Sequence, residues 1–179
     1  MSKSTVKEII SWAAVLVLAF VLGHCLNNYV IMKAEIPSGS MENTLKIGDR
    51  VFGFRLAYLF SYPERGDVVM FDFPDDESKL YVKRVIGLPG EVVEIIDGKV
   101  YIWQDELGND KKLLEEEYLK EVPTGSFGPY HVPEGHYFML GDNRNVSADS
   151  RKWNNKYVAE DKIQCKVVLR YSPSFGLIK

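Results

Sequence analysis

The hydrophobic pattern of the chain begins with one long apolar segment. Its 18 positions, residues 9–26, contain only Ser11 and His24 as polar residues and no Asp, Glu, Lys or Arg. At about 1.5 Å rise per residue, a helix of this length nearly matches a hydrocarbon core of about 30 Å. The pattern therefore predicts a transmembrane signal anchor that, with a juxtamembrane continuation, covers residues 9–32.

Two other structures are compatible with the apolar segment: a helix buried in a soluble core, and a cleaved secretory signal peptide. A signal peptide has an apolar part of about 7–15 residues and ends in a small-x-small site, whereas this segment ends in His-Cys-Leu-Asn. Lys3 and Lys7 precede it, and positive flanks stay on the cytoplasmic side. We therefore expect a single-pass protein of the cell membrane, with residues 1–8 in the cytoplasm and residues 33–179 outside.

Beyond the anchor the pattern changes to short runs rich in valine, isoleucine and aromatic residues, each bounded by Gly, Pro or Asp. Such runs are typical of strands, and they lie at residues 50–54, 67–73, 80–86, 91–96, 99–103, 137–140 and 163–171. The Asp97-Gly98 pair between two of them supplies the positive φ angles of a type I′ hairpin turn. The chain is therefore predicted to be mostly β, an antiparallel, coiled, barrel-like domain behind one N-terminal transmembrane helix.

Two segments depart from this strand pattern. Residues 104–130 are first charged and then rich in Pro, Gly and Ser. We expect them to form a variable surface insert, a loop or a short helix, whose acidic residues face solvent. Residues 52–60 (FGFRLAYLF) are strongly apolar and aromatic. They form either a core strand or a surface that rests in the membrane interface, where aromatic rings are favoured.

Composition narrows the possible functions. The formal net charge is −3, and no basic stripe with interleaved aromatics indicates a nucleic-acid interface. Cys25 lies in the anchor and Cys165 near the far end, so the outer domain has one thiol and no disulfide framework. No CxxC or HExxH pattern is present. We expect neither a metal nor another cofactor.

A candidate nucleophile follows the anchor, in the segment PSGSM at residues 37–41, where the second serine is Ser40. Proline fixes its own φ angle, and glycine lets another backbone approach closely. This suits an exposed hydroxyl with a backbone N–H nearby, although the same residues also occur in ordinary loops. His24, His131 and His136 are possible bases, and a Ser-His-Asp triad stays open because triads assemble from distant positions.

Lysine is the other known base for a catalytic serine. It accepts a proton only when neutral, so its pKa must fall from about 10.4 towards neutrality through loss of water. Lys83 lies in the apolar run at residues 80–86. There it either faces solvent by strand alternation or is buried, and the run alone leaves both orientations open.

Four segments, in this order behind the anchor, resemble the sequence boxes of bacterial type I signal peptidases, in the compact form found in Gram-positive bacteria. They are PSGSM at 37–41 with Thr44-Leu45, GDRVF at 48–52, RGDVV at 65–69 with YVKRVIGLPG at 81–90, and GDNRN at 141–145 with Ser147 and DSR at 149–151. The resemblance covers nearly the whole chain.

The resemblance implies a membrane-anchored serine endopeptidase that removes signal peptides from secreted preproteins with small residues before the cleavage site. Ser40 would attack the scissile carbonyl and Lys83 would take its proton. The Ser40 N–H and the Ser38 hydroxyl would form the oxyanion hole. The remaining matching residues would support this site, two of them by orienting Lys83 and three as structural polar residues: Ser147 and Asp149, then Asp142, Arg144 and Arg151.

Several positions differ from the family's usual pattern. Asn43 stands where proline is usual, Val146 where asparagine is usual, and Glu91 where aspartate is usual. None of these changes removes a catalytic group, but they leave the substrate preference open. Glu42 and Asn43 also motivate an alternative function, a non-catalytic or dual-role chaperone-like assembly factor for secreted or pilus subunits.

A third interpretation is a self-cleaving repressor-type protease, which also uses serine and lysine on a related β fold. The anchor and the lack of a DNA-binding helical domain argue against it. The expected partners are secreted preproteins and membrane lipid, with pilin-type subunits as a further candidate and no nucleic acid. We expect a preprotein to bind as an extended strand beside the site.

Overall fold

The computed structural model describes residues 3–105 and 107–178. Helix α1 spans Lys3–Cys25, and a π-helical turn, Leu26–Val30, follows it. The helix leaves its apolar side chains uncovered, and the apolar span Lys7–Val30 is long enough to cross a membrane and is 0% buried against the rest of the chain. The alternative of a helix buried in a soluble core is therefore wrong. The helical segment stops at Val30 rather than continuing through Met32, because the next residues pair as a strand.

The rest of the chain is mostly antiparallel β, as predicted. The strands are β1 Ile31–Glu35, β2 Arg50–Phe54, β3 Val68–Phe73, β4 Asp76–Gly87, β5 Val92–Ile96, β6 Lys99–Trp103, β7 Lys112–Leu113, β8 Phe127–His131, β9 His136–Leu140, β10 Tyr157–Ala159, β11 Ile163–Ser172 and β12 Gly176–Leu177. The seven strands predicted from the hydrophobic pattern correspond to β2, β3, β4, β5, β6, β9 and β11.

Within the described residues the strands form two sheets. The larger has the order β1-β2-β11-β3-β4-β9-β10, with β12 beside β11, and the smaller has the order β7-β6-β5-β8. The predicted hairpin joins β5 to β6: Ile96 pairs with Lys99, and the two turn residues Asp97 and Gly98 have φ angles of 48° and 79°. These are the positive angles that an Asp-Gly hairpin turn requires.

Strand alternation divides the core of the larger sheet between its two faces. On β3, Val68 and Met70 pack on one face with Cys165, whereas Val69 and Phe71 pack on the other face with Trp153. A third cluster, around Val93 and Phe138 among others, joins the smaller sheet to the larger. Because both faces are covered along Val68–Phe71 of β3 and along the second half of β4, a polar side chain in these parts of the strands is forced into a buried environment.

The two segments that depart from the strand pattern, residues 104–130 and 52–60, combine short strands with turns and loops. Residues 104–130 contain β7 and the start of β8, and no helix occurs among their described residues. The segment 52–60 is neither wholly core nor wholly surface, because β2 ends at Phe54 and a 3-10 turn, Arg55–Tyr58, follows. The exposed large hydrophobic side chains in this segment and just after it are Phe54, Leu56, Leu59, Phe60 and Tyr62. We call this group the aromatic ridge. Phe60 alone is 95% exposed.

Candidate active site

Ser40, the candidate nucleophile, lies in a 3-10 turn, Gly39–Met41, in the connection between β1 and β2. We call Gly39–Met41 the nucleophile turn. Met41 is buried in the core with Leu45, which anchors the turn and leaves Ser40 only half-buried. The residue before the turn, Ser38, is extended, and its Oγ lies 3.3 Å from the Ser40 Oγ. The first N–H groups of a helical turn have no partner within the turn. The Ser40 N–H therefore stands at the open end of the turn.

Lys83 comes from β4, where its backbone pairs with Val69 of β3. Residues 83–87 are all buried. Lys83 pairs with β3 on one side, and β9 begins to pair on the other side at the next residue, Arg84. The Lys83 Nζ lies 2.6 Å from the Ser40 Oγ and 3.1 Å from the Val82 carbonyl oxygen, and the residue is 4% exposed. Of the two orientations left open by the sequence, the buried one is correct.

Burial lowers the pKa of Lys83 from its ordinary value of 10.5 to about 8. Removing water from an amine destabilises the ammonium form more than the neutral form. The Asp149 and Asp142 carboxylates act in the opposite direction and raise this pKa, but desolvation has the larger effect. A large fraction of the molecules therefore holds a neutral amine beside the Ser40 hydroxyl at mildly alkaline pH.

A buried ion pair lies behind the turn that carries Ser40. Arg84 donates from Nε and Nη2 to the two carboxylate oxygens of Asp142, at 2.9 and 2.8 Å. The Thr44 hydroxyl donates a short hydrogen bond to the same carboxylate, and Arg84 Nη1 donates to the Gly66 carbonyl at 2.6 Å. A buried ion pair is tolerated when further hydrogen bonds satisfy it. This network ties β4 to the segment that follows the nucleophile turn. Arg84 and Thr44 lie in the matching segments, but the resemblance gave neither of them a role.

Asp149 stabilises the loop after β9 rather than contacting Lys83 directly. It is 0% exposed and accepts hydrogen bonds from Arg151 Nε and Nη2, both at 2.8 Å, and from the Gly141 N–H at 3.1 Å. Arg151 also donates to the Arg144 carbonyl at 2.6 Å. Asp149 therefore acts on Lys83 through its charge, while its described hydrogen bonds hold the loop.

Ser147 is fully buried beside the nucleophile turn. A Cβ atom at Gly141 would lie 2.2 Å from the Ser147 Oγ and 2.5 Å from the Ser40 carbonyl oxygen, so only glycine fits between them. The Ser147 hydroxyl has no hydrogen-bond partner among the described residues, and the described hydrogen bonds of Lys83 go to Ser40 and Val82. Ser147 is close to the site, but a direct bond to Lys83 is not formed.

The insert contributes to this buried network. Arg144 donates from two guanidinium nitrogens to the Glu116 carboxylate, and both side chains are less than 8% exposed. The Arg84 guanidinium stacks on the Tyr118 ring, with its Cζ atom 4.0 Å from the ring centroid. The prediction that the acidic residues of residues 104–130 face solvent is therefore wrong for Glu116. The reason is that a buried arginine requires a charged partner.

Asn143 is a further site residue that sequence reasoning did not single out. Its backbone N–H donates to the Ser40 carbonyl at 3.0 Å, and its side-chain Nδ2 donates to the Gly39 carbonyl at 3.0 Å. Both acceptors belong to the nucleophile turn. The residue lies within one of the matching segments, but nothing in its own neighbourhood distinguishes it from an ordinary loop asparagine.

An open cleft of about 430 Å³ passes over the pair of side chains. Besides the nucleophile turn, it is lined by apolar side chains from three segments: Ile36, Pro37, Leu80, Val82, Val146 and Ala148. On one side of β4, β9 pairs only with residues 84–87. Among the described residues, the backbone edge at residues 80–83 therefore has no strand partner on that side, and the cleft runs along it.

The described residues do not form a Ser-His-Asp triad around Ser40. The described side-chain partners of its hydroxyl are Ser38 and Lys83, whereas His136 bonds the Glu134 carbonyl. Within residues 3–105 and 107–178, no group of three or more His, Cys, Asp and Glu side chains is placed to hold a metal ion.

Comparison with known proteins assigns the chain to a family. Residues 9–172 match the family model described as signal peptidase, peptidase S26. A protein named "Probable signal peptidase I-2", from Synechocystis sp., is 37% identical over 88% of this chain and 71% of its own length. Signal peptidase I of Bacillus licheniformis is 38% identical over 83% of this chain and 82% of its own. Signal peptidase IB of Staphylococcus aureus (strain COL) is 35% identical over 93% and 91%. This chain belongs to the peptidase S26 family of signal peptidases.

Proposed function

We propose that this protein is a membrane-anchored serine endopeptidase that removes signal peptides from secreted preproteins through a Ser40–Lys83 dyad. The observation that carries the proposal is the 2.6 Å approach of the buried Lys83 amine to the Ser40 hydroxyl. The lowered pKa of Lys83 supports its role as the base. Membership of the signal peptidase family supports the choice of substrate.

In this mechanism the neutral Lys83 amine removes the Ser40 hydroxyl proton while the Ser40 oxygen attacks the scissile carbonyl carbon. The resulting ammonium returns the proton to the leaving amine as the peptide bond breaks, which leaves an ester on Ser40. Lys83, neutral again, then takes a proton from a water molecule that attacks the ester. As the ester bond breaks, the Lys83 ammonium gives its proton to the Ser40 oxygen, and the released carboxylic acid loses its remaining proton to solvent.

The negative oxygen that develops in each step requires hydrogen-bond donors aimed at its position. The Ser40 N–H, at the open end of the turn, and the Ser38 hydroxyl, 3.3 Å from the Ser40 Oγ, are the proposed donors. The supporting roles we assign follow the contacts described above: Asp142, Arg144, Asp149 and Arg151 hold the wall behind the dyad, and Ser147 packs against the Gly141 backbone beside it.

The substrate segment is proposed to bind as an extended strand along the cleft. The backbone edge at residues 80–83 offers hydrogen-bonding groups for such a strand. Val146 and Ala148 line the cleft close to the dyad together with Val82. These apolar side chains suit small residues before the cleavage site.

The placement in the membrane is also proposed. Lys3 and Lys7, which precede the apolar segment of the single described apolar helix, favour a cytoplasmic N-terminus and an extracytoplasmic catalytic domain. The turn at the end of the helix contacts the 3-10 turn that begins the aromatic ridge. Exposed aromatic side chains are favoured at a lipid interface. The aromatic ridge therefore rests on the membrane surface and keeps the cleft near the bilayer.

The test is cleavage of a preprotein by the full chain in detergent, with Ser40→Ala and Lys83→Ala variants. Lys79→Ala is the matched control, because Lys79 lies on the same strand with 61% of its side chain exposed. We expect both dyad variants to lose cleavage and the control to retain it. Near wild-type cleavage by either dyad variant would refute the dyad. A Ser40→Ala strain with an intact secretion and pilus phenotype would favour the assembly-factor alternative.

A further inference from the structure

Asn143 bonds two successive carbonyl groups of the nucleophile turn, from a loop 104 positions away in the chain. Its Nδ2 donates to the Gly39 oxygen and its N–H donates to the Ser40 oxygen, each at 3.0 Å. The turn itself supplies only the Glu42 N–H to the Gly39 oxygen. Met41 anchors the turn in the core, and Asn143 adds hydrogen bonds that fix the orientation of its two carbonyl groups relative to the β scaffold.

The Gly39 oxygen and the Ser40 N–H belong to the same peptide group. In a planar trans peptide these two groups point in opposite directions. A donor held on the Gly39 oxygen therefore fixes the direction of the Ser40 N–H, away from Asn143 and towards the proposed oxyanion position. A hydrogen bond to a peptide carbonyl also polarises that peptide and makes its N–H a stronger donor.

The Asn143 side chain is itself held in one orientation. Its Oδ1 is buried and has no hydrogen-bond partner among the described residues, so the Gly39 bond determines which way the amide lies. The neighbouring residues, Asp142 and Arg144, are locked in ion pairs with Arg84 and Glu116. The donor nitrogen is therefore preorganised.

We propose that Asn143 is a positioning residue for the oxyanion hole, acting through the Gly39–Ser40 peptide. The inference rests on the proposed dyad, and it assigns the residue a role in the transition state rather than in substrate binding. Removing a direct oxyanion donor typically lowers kcat by about 100- to 1,000-fold. Because Asn143 acts one peptide away, we expect a loss of about 10- to 100-fold in kcat, with KM nearly unchanged.

The experiment compares Asn143→Ala and Asn143→Leu with the wild type, using the full chain in detergent. Asn145→Ala is the matched control, because Asn145 lies on the same loop but bonds the insert at Thr124 and Val122. Besides kcat and KM, we would measure inhibition by a substrate-like peptide aldehyde, which forms an adduct with Ser40, and by the corresponding alcohol, which cannot.

We expect Asn143→Ala to weaken the aldehyde by the same factor as kcat while the alcohol and the midpoint of the pH–rate profile stay unchanged. Asn143→Leu, which keeps a branched side chain of similar size, should behave in the same way if Asn143→Ala folds poorly. Wild-type kcat in both variants, equal weakening of aldehyde and alcohol, or a shifted pH midpoint would overturn the inference. The dyad proposal fails separately, only if Ser40→Ala or Lys83→Ala retains cleavage.

Discussion

Replacing Lys83 with methionine should abolish cleavage and stabilise the folded protein at neutral pH. In the wild type, folding buries this amine and lowers its pKa from 10.5 to about 8. One pKa unit corresponds to about 1.4 kcal/mol, so at pH 7 the burial costs about 3 kcal/mol. The methionine variant also loses the hydrogen bond to Ser40, which destabilises it by about 1 kcal/mol. We therefore expect Lys83→Met to be more stable by about 2 kcal/mol at pH 7.

The pH dependence separates this effect from packing. The folded-state pKa lies below the unfolded value, so the unfolded chain binds more protons between the two, and the stability of the wild type rises as pH increases. The cost of Lys83 is complete below a pH of about 8 and disappears by about 10.5. The advantage of Lys83→Met should therefore shrink over this interval and turn into a small disadvantage at its upper end.

The assay is denaturant unfolding of the full chain in detergent micelles, followed by tryptophan fluorescence, to which buried Trp153 contributes, at several pH values between 7 and 10.5. Lys79→Met is the control, because Lys79 is exposed and its removal should have little effect on stability. Other titrating groups are common to all variants and cancel in the difference. A stability difference that does not change with pH would refute the reasoning, since packing alone would then explain it.

Three further predictions test other parts of the structure. The kcat/KM of the wild type should rise with pH around a midpoint near 8, as Lys83 loses its proton, and a flat profile would contradict a lysine base. Glu116→Gln should lower the free energy of unfolding by about 3 kcal/mol, because it leaves the Arg144 charge buried without its partner. An unchanged melting temperature would show that the Glu116–Arg144 ion pair does not stabilise the fold. Gly53→Ala should destabilise the fold by about 2 kcal/mol, because its Cβ would lie 2.2 Å from the Cys165 Sγ. Adding Cys165→Ala should recover part of that loss. A double variant that is no more stable than Gly53→Ala would show that the strain arises from another contact.

Local pattern accounted for the elements whose burial follows strand or helix periodicity. It missed β1 because Ile31 and Met32 extend the apolar residues after the anchor while Lys33 and Glu35 are charged, so these five residues show neither a strand-like apolar run nor a turn signal that separates them from the helix. It missed β8, Phe127–His131, because Gly128 and Pro129 interrupt the alternation; such residues are tolerated in a strand at the sheet edge. In both segments, pairing with a neighbouring strand overrides a weak local preference.

The matching sequence boxes directed attention to Ser40, Lys83 and supporting residues such as Asp142, but they did not include Glu116 and gave Asn143 no role. Glu116 lies in a segment whose charges are typical of a solvated surface, and its burial depends on Arg144 being brought against it. Asn143 is identifiable only when the nucleophile turn is seen against its amide. Contacts between residues distant in sequence leave no periodic trace in a single chain.

The sequence by itself determined the membrane-sized apolar helix, the antiparallel β character of the outer domain and the residue types available for chemistry, because these depend on spacing and composition. Only the tertiary structure decided that the Lys83 amine is buried from solvent and lies 2.6 Å from the Ser40 hydroxyl. A lysine on an isolated strand would be hydrated and charged. The packing of β3 and of the turn that carries Ser40 against Lys83 excludes that water, and the lowered pKa follows from this burial.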